Sequence, residues 1–263
     1  MSLRRTAFAT SLLLALSVAH AQTSPTRPLN DTGITWSGHA TDGNAATCGP
    51  THPAGQDCHH GRDAAAAAST LPAKTGGSAL NNGVANGFDF TKISNSGNPL
   101  PASATLGSGA NDWACTRDNV TGLVWEVKTT SGLRSQGHTY TWYDSASPDG
   151  NLGTANGGSC ETAGRCDTEK YVQDVNAAGL CGAADWRMPT VKELEGIVDF
   201  GRVNPAIDPD YFPNTPPSNV WSGSPNAGDS DYAWVVFFRN GDASNSNSNR
   251  GGGLHVRLVR GGQ

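Results

Sequence analysis

Two carboxylate pairs, Asp208 with Asp210 and Asp229 with Asp231, are the first residues able to do acid–base work, each pair bringing two titratable groups within a short reach. Both pairs sit in segments dense in Gly, Pro, Asn and Ser, where Asp more often satisfies nearby backbone amides, so turns are expected rather than catalysis. A second cluster, Cys48, His52, Cys58, His59 and His60, has ligand types suited to a transition metal but neither C-x-x-C nor H-x-x-x-H spacing. The chain contains no G-x-S-x-G elbow, no G-x-x-x-x-G-K-[ST] phosphate loop, no H-E-x-x-H helix and no EF-hand pattern. We therefore assign no catalytic residue, no metal and no cofactor. In Asp185-Trp186-Arg187-Met188-Pro189-Thr190, Arg187 can bind an anion, but a structural reading is preferred. There Trp186 fills the core, Arg187 pairs with Asp185 or Asp199, and Pro189-Thr190 launches a helix.

The six cysteines, Cys48, Cys58, Cys115, Cys160, Cys166 and Cys181, take their meaning from the N-terminus. Arg4 and Arg5, an apolar stretch from Ala7 to Val18, and Ala19-His20-Ala21 follow the order of a signal peptide, with cleavage expected after Ala21. In an oxidising compartment an even cysteine count reads as disulfides, although six cysteines permit about 15 pairings. Short spacing favours Cys48–Cys58 and Cys160–Cys166, which leaves Cys115 with Cys181. Charged residues make up only 16% of the chain and the net charge is −5, so the basic face a nucleic-acid binder needs is missing. Beyond the leader no apolar run is long enough to span a membrane.

The elements that would position these residues are unevenly distributed. Residues 22–112 are rich in Gly, Ala, Ser, Thr and Asn and hold few large apolar side chains, which leaves little surface to bury against the entropy of ordering. This segment is expected to precede or pack on the folded part, with Trp36, Phe88 and Phe90 as anchors. From Trp113 onward the core residues gather. Thr121 to Lys128 alternates Leu123, Trp125 and Val127 with Val124, Glu126 and Lys128, the period of a half-buried strand. Tyr171, Val172, Val175 and Ala178 repeat at helical spacing behind a cap at Asp167 or Thr168 and before Gly179. A second helix starts at Thr190, with Glu193 completing a capping box, and both helices should run about ten residues. Val203 to Pro217 holds five prolines and must be irregular. Val220-Trp221, Tyr232 to Phe238 and Leu254 to Arg260 read as strands, and Asp242 to Gly253 as a polar loop. Strands and helices without regular β-α-β order place the chain in the α+β class.

Three separated segments carry a resemblance. Trp113-Ala114-Cys115-Thr116-Arg117-Asp118-Asn119-Val120-Thr121-Gly122-Leu123-Val124-Trp125-Glu126, Cys181-Gly182-Ala183-Ala184-Asp185-Trp186-Arg187-Met188-Pro189-Thr190 and Val256-Arg257-Leu258-Val259-Arg260 resemble the Lcl C-terminal domain family of exported bacterial proteins. The likeness spans residues 113–263, and Met188 stands where the family usually has Leu. It implies a C-type-lectin-like fold of short antiparallel strands, two short helices and much irregular loop. In such a fold an early strand pairs with the last, and binding loops lie between. It further implies a link to formylglycine-generating enzymes, whose catalytic cysteine pair has no counterpart here, and to adhesins for sulfated polysaccharides. Residues 221–263, with Trp221-Ser222-Gly223-Ser224-Pro225, Ala233-Trp234-Val235-Val236, the Asn/Ser/Gly tract and the closing strand, are similar to the variable region of retroelement-diversified proteins, where Asn codons drift within a fixed frame.

These readings converge on an exported binding protein whose contact face comprises Asn226, Asp229, Asp231, Trp234, Phe237, Arg239, Asn240, Asp242, Ser244, Asn245, Ser246, Asn247, Gly251, Gly252, Gly253 and Leu254. Its expected partner is an extracellular protein or polysaccharide, bound by adaptable polar side chains with a few large anchors. An enzyme on the related scaffold and a purely structural envelope protein are the alternatives.

Overall fold

The computed structural model describes residues 30–34, 37–39, 43–45, 87–245 and 248–261. The proposed leader, Trp36, the Cys48–Cys58 pair and its alternative metal cluster, Ser246 and Asn247 lie outside the described residues. Two larger sheets, one antiparallel and one mixed, dominate, with few helices between them, an α+β arrangement in which strand outweighs helix. Strands β1 (Ser37–His39) and β2 (Gly43–Ala45) form a two-stranded antiparallel pair among the described residues. A five-stranded sheet runs β11-β6-β5-β3-β4, built from β3 (Phe90–Ser94), β4 (Pro99–Leu100), β5 (Trp113–Asp118), β6 (Val124–Glu126) and β11 (Val259–Arg260). A four-stranded sheet runs β10-β7-β8-β9, from β7 (Asn219–Pro225), β8 (Ala233–Phe237), β9 (Asp242–Ser244) and β10 (His255–Val256). Early β6 pairs antiparallel with the last strand, Trp125 opposite Val259.

The sheet begins before Trp113, because β3 pairs with β5 and carries Phe90 into the core beside buried Phe88. Residues 30–34 lie against the same part of the molecule, where Asn30 Nδ2 donates to Asp118 Oδ2 and to the Gly196 carbonyl. Asp118 itself forms the expected turn, its Oδ1 accepting from the amides of Val120 and Thr121.

Helix α1 (Thr168–Ala177) has Asp167 as its N-cap, accepting from the Lys170 amide, and buries Tyr171 and Val175. Helix α2 (Val191–Glu195) starts on the predicted Thr190–Glu193 capping box but is five residues long rather than about ten. The chain turns at Gly196 while Leu194, Ile197 and Val198 stay fully buried, so packing rather than helix length was what the apolar spacing encoded. Val203 to Pro217 is irregular, as its prolines require.

Two strand expectations need correction. Only Val124–Glu126 of the predicted Thr121–Lys128 strand pairs, and its polar side is not solvated: Glu126 and Lys128 are as buried as Trp125 and Val127. The predicted Leu254–Arg260 strand divides into β10 in one sheet and β11 in the other. Crossing between sheets buries both of its sides, so Arg257 is as enclosed as Val256 and Leu258.

Two apolar clusters explain this. Tyr140, Trp142, Tyr171, Trp186, Trp221, Val235 and Val256 form one; Phe88, Phe90, Trp125, Leu194, Phe212, Val236, Phe238 and Val259 form the other. Neighbours along a strand, Val220 with Trp221 and Val235 with Val236, go to different clusters, so the four-stranded sheet lies between them. The disulfides Cys115–Cys181 and Cys160–Cys166 are formed, and among the described residues no cysteine is free. Both fit an oxidising compartment. No described helix is long and apolar enough to cross a membrane.

Candidate functional site

The polar tract is neither entirely loop nor entirely exposed. Asp242–Ser244 forms β9 on the edge of β8, with Phe237 opposite Asp242 and Val235 opposite Ser244. Further on, Ser248 is buried, its Oγ donating to the Ala233 carbonyl at 2.6 Å while the Ala233 amide donates back to Ser248. Two residues later Arg250 is buried at 2% exposure. Its guanidinium stacks 4.0 Å from the Trp142 ring and donates to both carboxylate oxygens of Asp149 and to the Asn151 carbonyl. A planar fork over an indole, satisfied by carboxylate and carbonyl, is what a buried arginine needs to be held in place. The same hydrogen bonds from Arg250 hold the Asp149 carboxyl well below its usual range, at about 2.

That anchor assembles three loops. The Arg250 amide donates to the Asp231 carbonyl, Tyr232 bridges Asn249, and Asn151 Nδ2 donates to Asp231 Oδ1 at 3.0 Å. Asp229, Asp231, Asn249, Gly251 and Gly253 stay exposed around it, with Asn226, Asn245, Gly252 and Leu254 half-buried. Leu152, 41% exposed, joins this rim. Asn151 and Leu152 were not picked out from the sequence, since only the Arg250–Asp149 contact across about a hundred residues places them there. Asp229 follows the turn reading, its Oδ1 accepting from the Asp231 amide, and Asp208 does the same for Asp210.

The other predicted contact residues lie elsewhere. Arg239, Asn240 and Asp242 sit at the far end of β8, about 15 Å away at the usual rise of a strand. Arg239 is exposed and its side chain has no partner among the described residues, while Asn240 Nδ2 donates to Asp242. Trp234 and Phe237, three positions apart on β8, point to opposite faces, each half-exposed. The predicted set thus forms two groups rather than one face.

Arg187 pairs with neither Asp185 nor Asp199. It makes a two-pronged pair with Glu193, joining the capping box, while Asp185 pairs with Arg260 and Asp199 with Arg202. Trp186 is in the core, as expected.

The strongest cluster of perturbed groups is buried. Glu126 Oε1 accepts from Lys128 Nζ at 2.8 Å and from the Tyr171 hydroxyl, and Oε2 accepts from the Leu258 amide. Burial pushes Glu126 up, but Lys128 and these hydrogen bonds outweigh it and hold the carboxylate ionised. Arg257 donates to the Glu126 carbonyl and to Thr215 Oγ1. Every oxygen of Glu126 is occupied and none faces a cleft, so this network joins β6 to the final strand rather than working on a substrate. Two concavities, of about 700 and 310 Å³, are lined by other residues and include none of the predicted contact residues. No group of three or more metal-ligating side chains occurs among the described residues.

The model of one family, the Lcl C-terminal domain, matches residues 114–260. No curated protein and no solved structure matches the chain.

Proposed function

The chain belongs to the Lcl C-terminal domain family, and from that premise we propose that it is an exported ligand-binding protein, adhesin-like or receptor-like, on a C-type-lectin-like scaffold. The pairing of β6 with β11 supports the scaffold reading, and the two described disulfides support export. Within the proposal, the contact face is the loop rim around Arg250: Asn226, Asp229, Asp231, Asn245, Asn249 and Gly251 to Gly253, joined by Asn151 and Leu152.

The observation that carries this reading is the alternation in the tract. Ser248 and Arg250 are buried and bonded, while Asn249 between them and Gly251 after them are exposed. Side chains can vary at the exposed positions without touching the anchors, which is what a diversified surface requires, and retroelement diversification of the tail is part of the proposal. Charge narrows the partner. The described loops of this rim carry Asp229 and Asp231 and, with Arg250 buried and paired, no exposed cation, so a neutral polysaccharide or a basic protein surface fits better than a sulfated chain.

The test compares two composite variants against the wild type on a panel of neutral and sulfated polysaccharides and on intact cells. Replacing Asp229, Asp231 and Asn249 together by Ala should abolish binding with the fold intact. Replacing Arg239, Asn240 and Asp242 should leave binding unchanged, and the reverse pattern moves the site to the far end of β8.

A further inference from the structure

A second region has the features of a small-molecule site, independently of the loop rim. The cleft of about 700 Å³ lies between the loop 129–134, the loop 106–108 and the C-terminal end of α1, a size suited to a small organic ligand. Leu106, Leu133, Val175 and Leu180 supply apolar wall, and Ser108, Thr130 and Ser131 an exposed hydroxyl rim.

Arg134 is the cation of this cleft. Its Nη1 donates to the Ala114 carbonyl at 2.9 Å and to the Val127 carbonyl at 2.6 Å, which fixes the guanidinium plane. Among the described residues it has no carboxylate partner and its Nε and Nη2 have no acceptor, so one edge of the fork is left for a ligand. The charges behind it add to the attraction, since Lys128 and Arg257 are balanced there by Glu126 alone. The carbonyl end of α1 opposes it from the other wall, with no basic residue in its last turn. That end amounts to about half a negative charge, against a full positive charge on Arg134. The cleft is also braced: Cys115–Cys181 ties the strand holding Ala114 to the turn holding Leu180.

We propose that this cleft binds a small monocarboxylate, its acid head paired with the open edge of Arg134 and its apolar tail lying against Leu106, Leu133 and Leu180. The helix end sets the orientation by repelling the acid head from the opposite wall.

Calorimetric titration of the whole exported chain with octanoate tests this, with octanol, octylamine and sulfate as controls. Octanoate should bind with one site, and each control at least about tenfold more weakly, the scale of a lost charge-assisted pair. Arg134→Gln should weaken octanoate by about tenfold or more. Because that change also disturbs two backbone contacts, Ser131→Asp provides a second reading: Ser131 is exposed and its added charge should weaken octanoate to a similar degree without disturbing the fold. Absence of octanoate binding to the wild type overturns the proposal. So does equal binding of octanol, which leaves only an apolar hollow, of octylamine, which gives the helix end control, or of sulfate, which leaves a non-selective anion contact. Unchanged affinity in Ser131→Asp overturns it as well.

Discussion

The two ends of β8 are built from similar residues and held in different ways. At the N-terminal end a buried arginine on an indole collects three loops, and its acid partner is held strongly ionised. At the C-terminal end the turn through Arg239 and Asn240 rests on Gly241, whose backbone is left-handed at φ +89° and lies close over Val198 and Phe200. Beside it, burial pushes the Asp199 carboxyl up to about 6, against the pull of Arg202 and the Gly201 amide. One end is fixed by a charge that is stabilised on folding, the other sits beside a charge that folding disfavours. A variable contact surface needs the first kind of support, because the anchor then does not depend on the residues that vary.

The largest effect expected from this comparison is Arg250→Ala. Removing this buried side chain, with its hydrogen bonds to the partly exposed Asp149 and to the Asn151 carbonyl and its stacking on Trp142, should cost about 3–4 kcal/mol in denaturant unfolding. Hydrogen exchange should rise in the 147–152 and 226–232 loops and not in the 238–242 turn. A loss under about 1 kcal/mol would show that Arg250 is not the anchor.

The next largest effect is a pH dependence at the opposite end. Asp199 has a folded pKa above its unfolded value, so its contribution favours folding below about pH 4 and is lost as pH rises through about 6. A shift of that size is worth about 2–3 kcal/mol. Asp199→Asn should flatten the stability profile over that window relative to the wild type. Asp149 has the opposite sign: its depressed pKa gives stability present above about pH 4 and lost as pH falls towards 2. A common sign at both ends would erase the contrast.

Smaller still, Gly241→Ala should cost about 1–2 kcal/mol, because alanine meets both a left-handed backbone and Val198 Cγ1 at 2.5 Å. Gly251→Ala has no left-handed backbone and meets only the ends of two side chains, Asn249 Oδ1 at 3.2 Å on an exposed residue that can shift and Thr154 Oγ1 at 3.4 Å, so it should change stability by less than about 0.5 kcal/mol. Equal losses at the two glycines, measured by thermal unfolding, would remove the distinction.

Local chemistry was legible in the sequence. The Asp118 turn, the Asp167 cap, the Thr190–Glu193 capping box and the Cys115–Cys181 and Cys160–Cys166 pairs rest on neighbours or on a small set of choices. Long-range satisfaction of charge was not. Glu126 and Lys128 look like the wet side of a strand until Tyr171, from a helix further along, closes over them. Arg250 looks like one more polar residue in a run of Asn, Ser and Gly, and only the fold supplies Asp149 and Trp142. For the proposed contact residues this meant that their separation into two groups, and the placing of Asn151 and Leu152 beside one of them, were not legible in the sequence.

On the proposed function, the rim around Arg250 varies while its anchors do not. Sequencing codons 221–260 of this gene across many isolates of the source population tests it most directly. Substitutions should concentrate at Asn226, Asp229, Asp231, Asn245, Asn249 and Gly251 to Gly253, with Ser248, Arg250, Ala233 and Val235 constant. Substitutions as frequent at Ser248 and Arg250 as at Asn249, or none across the rim, would contradict it.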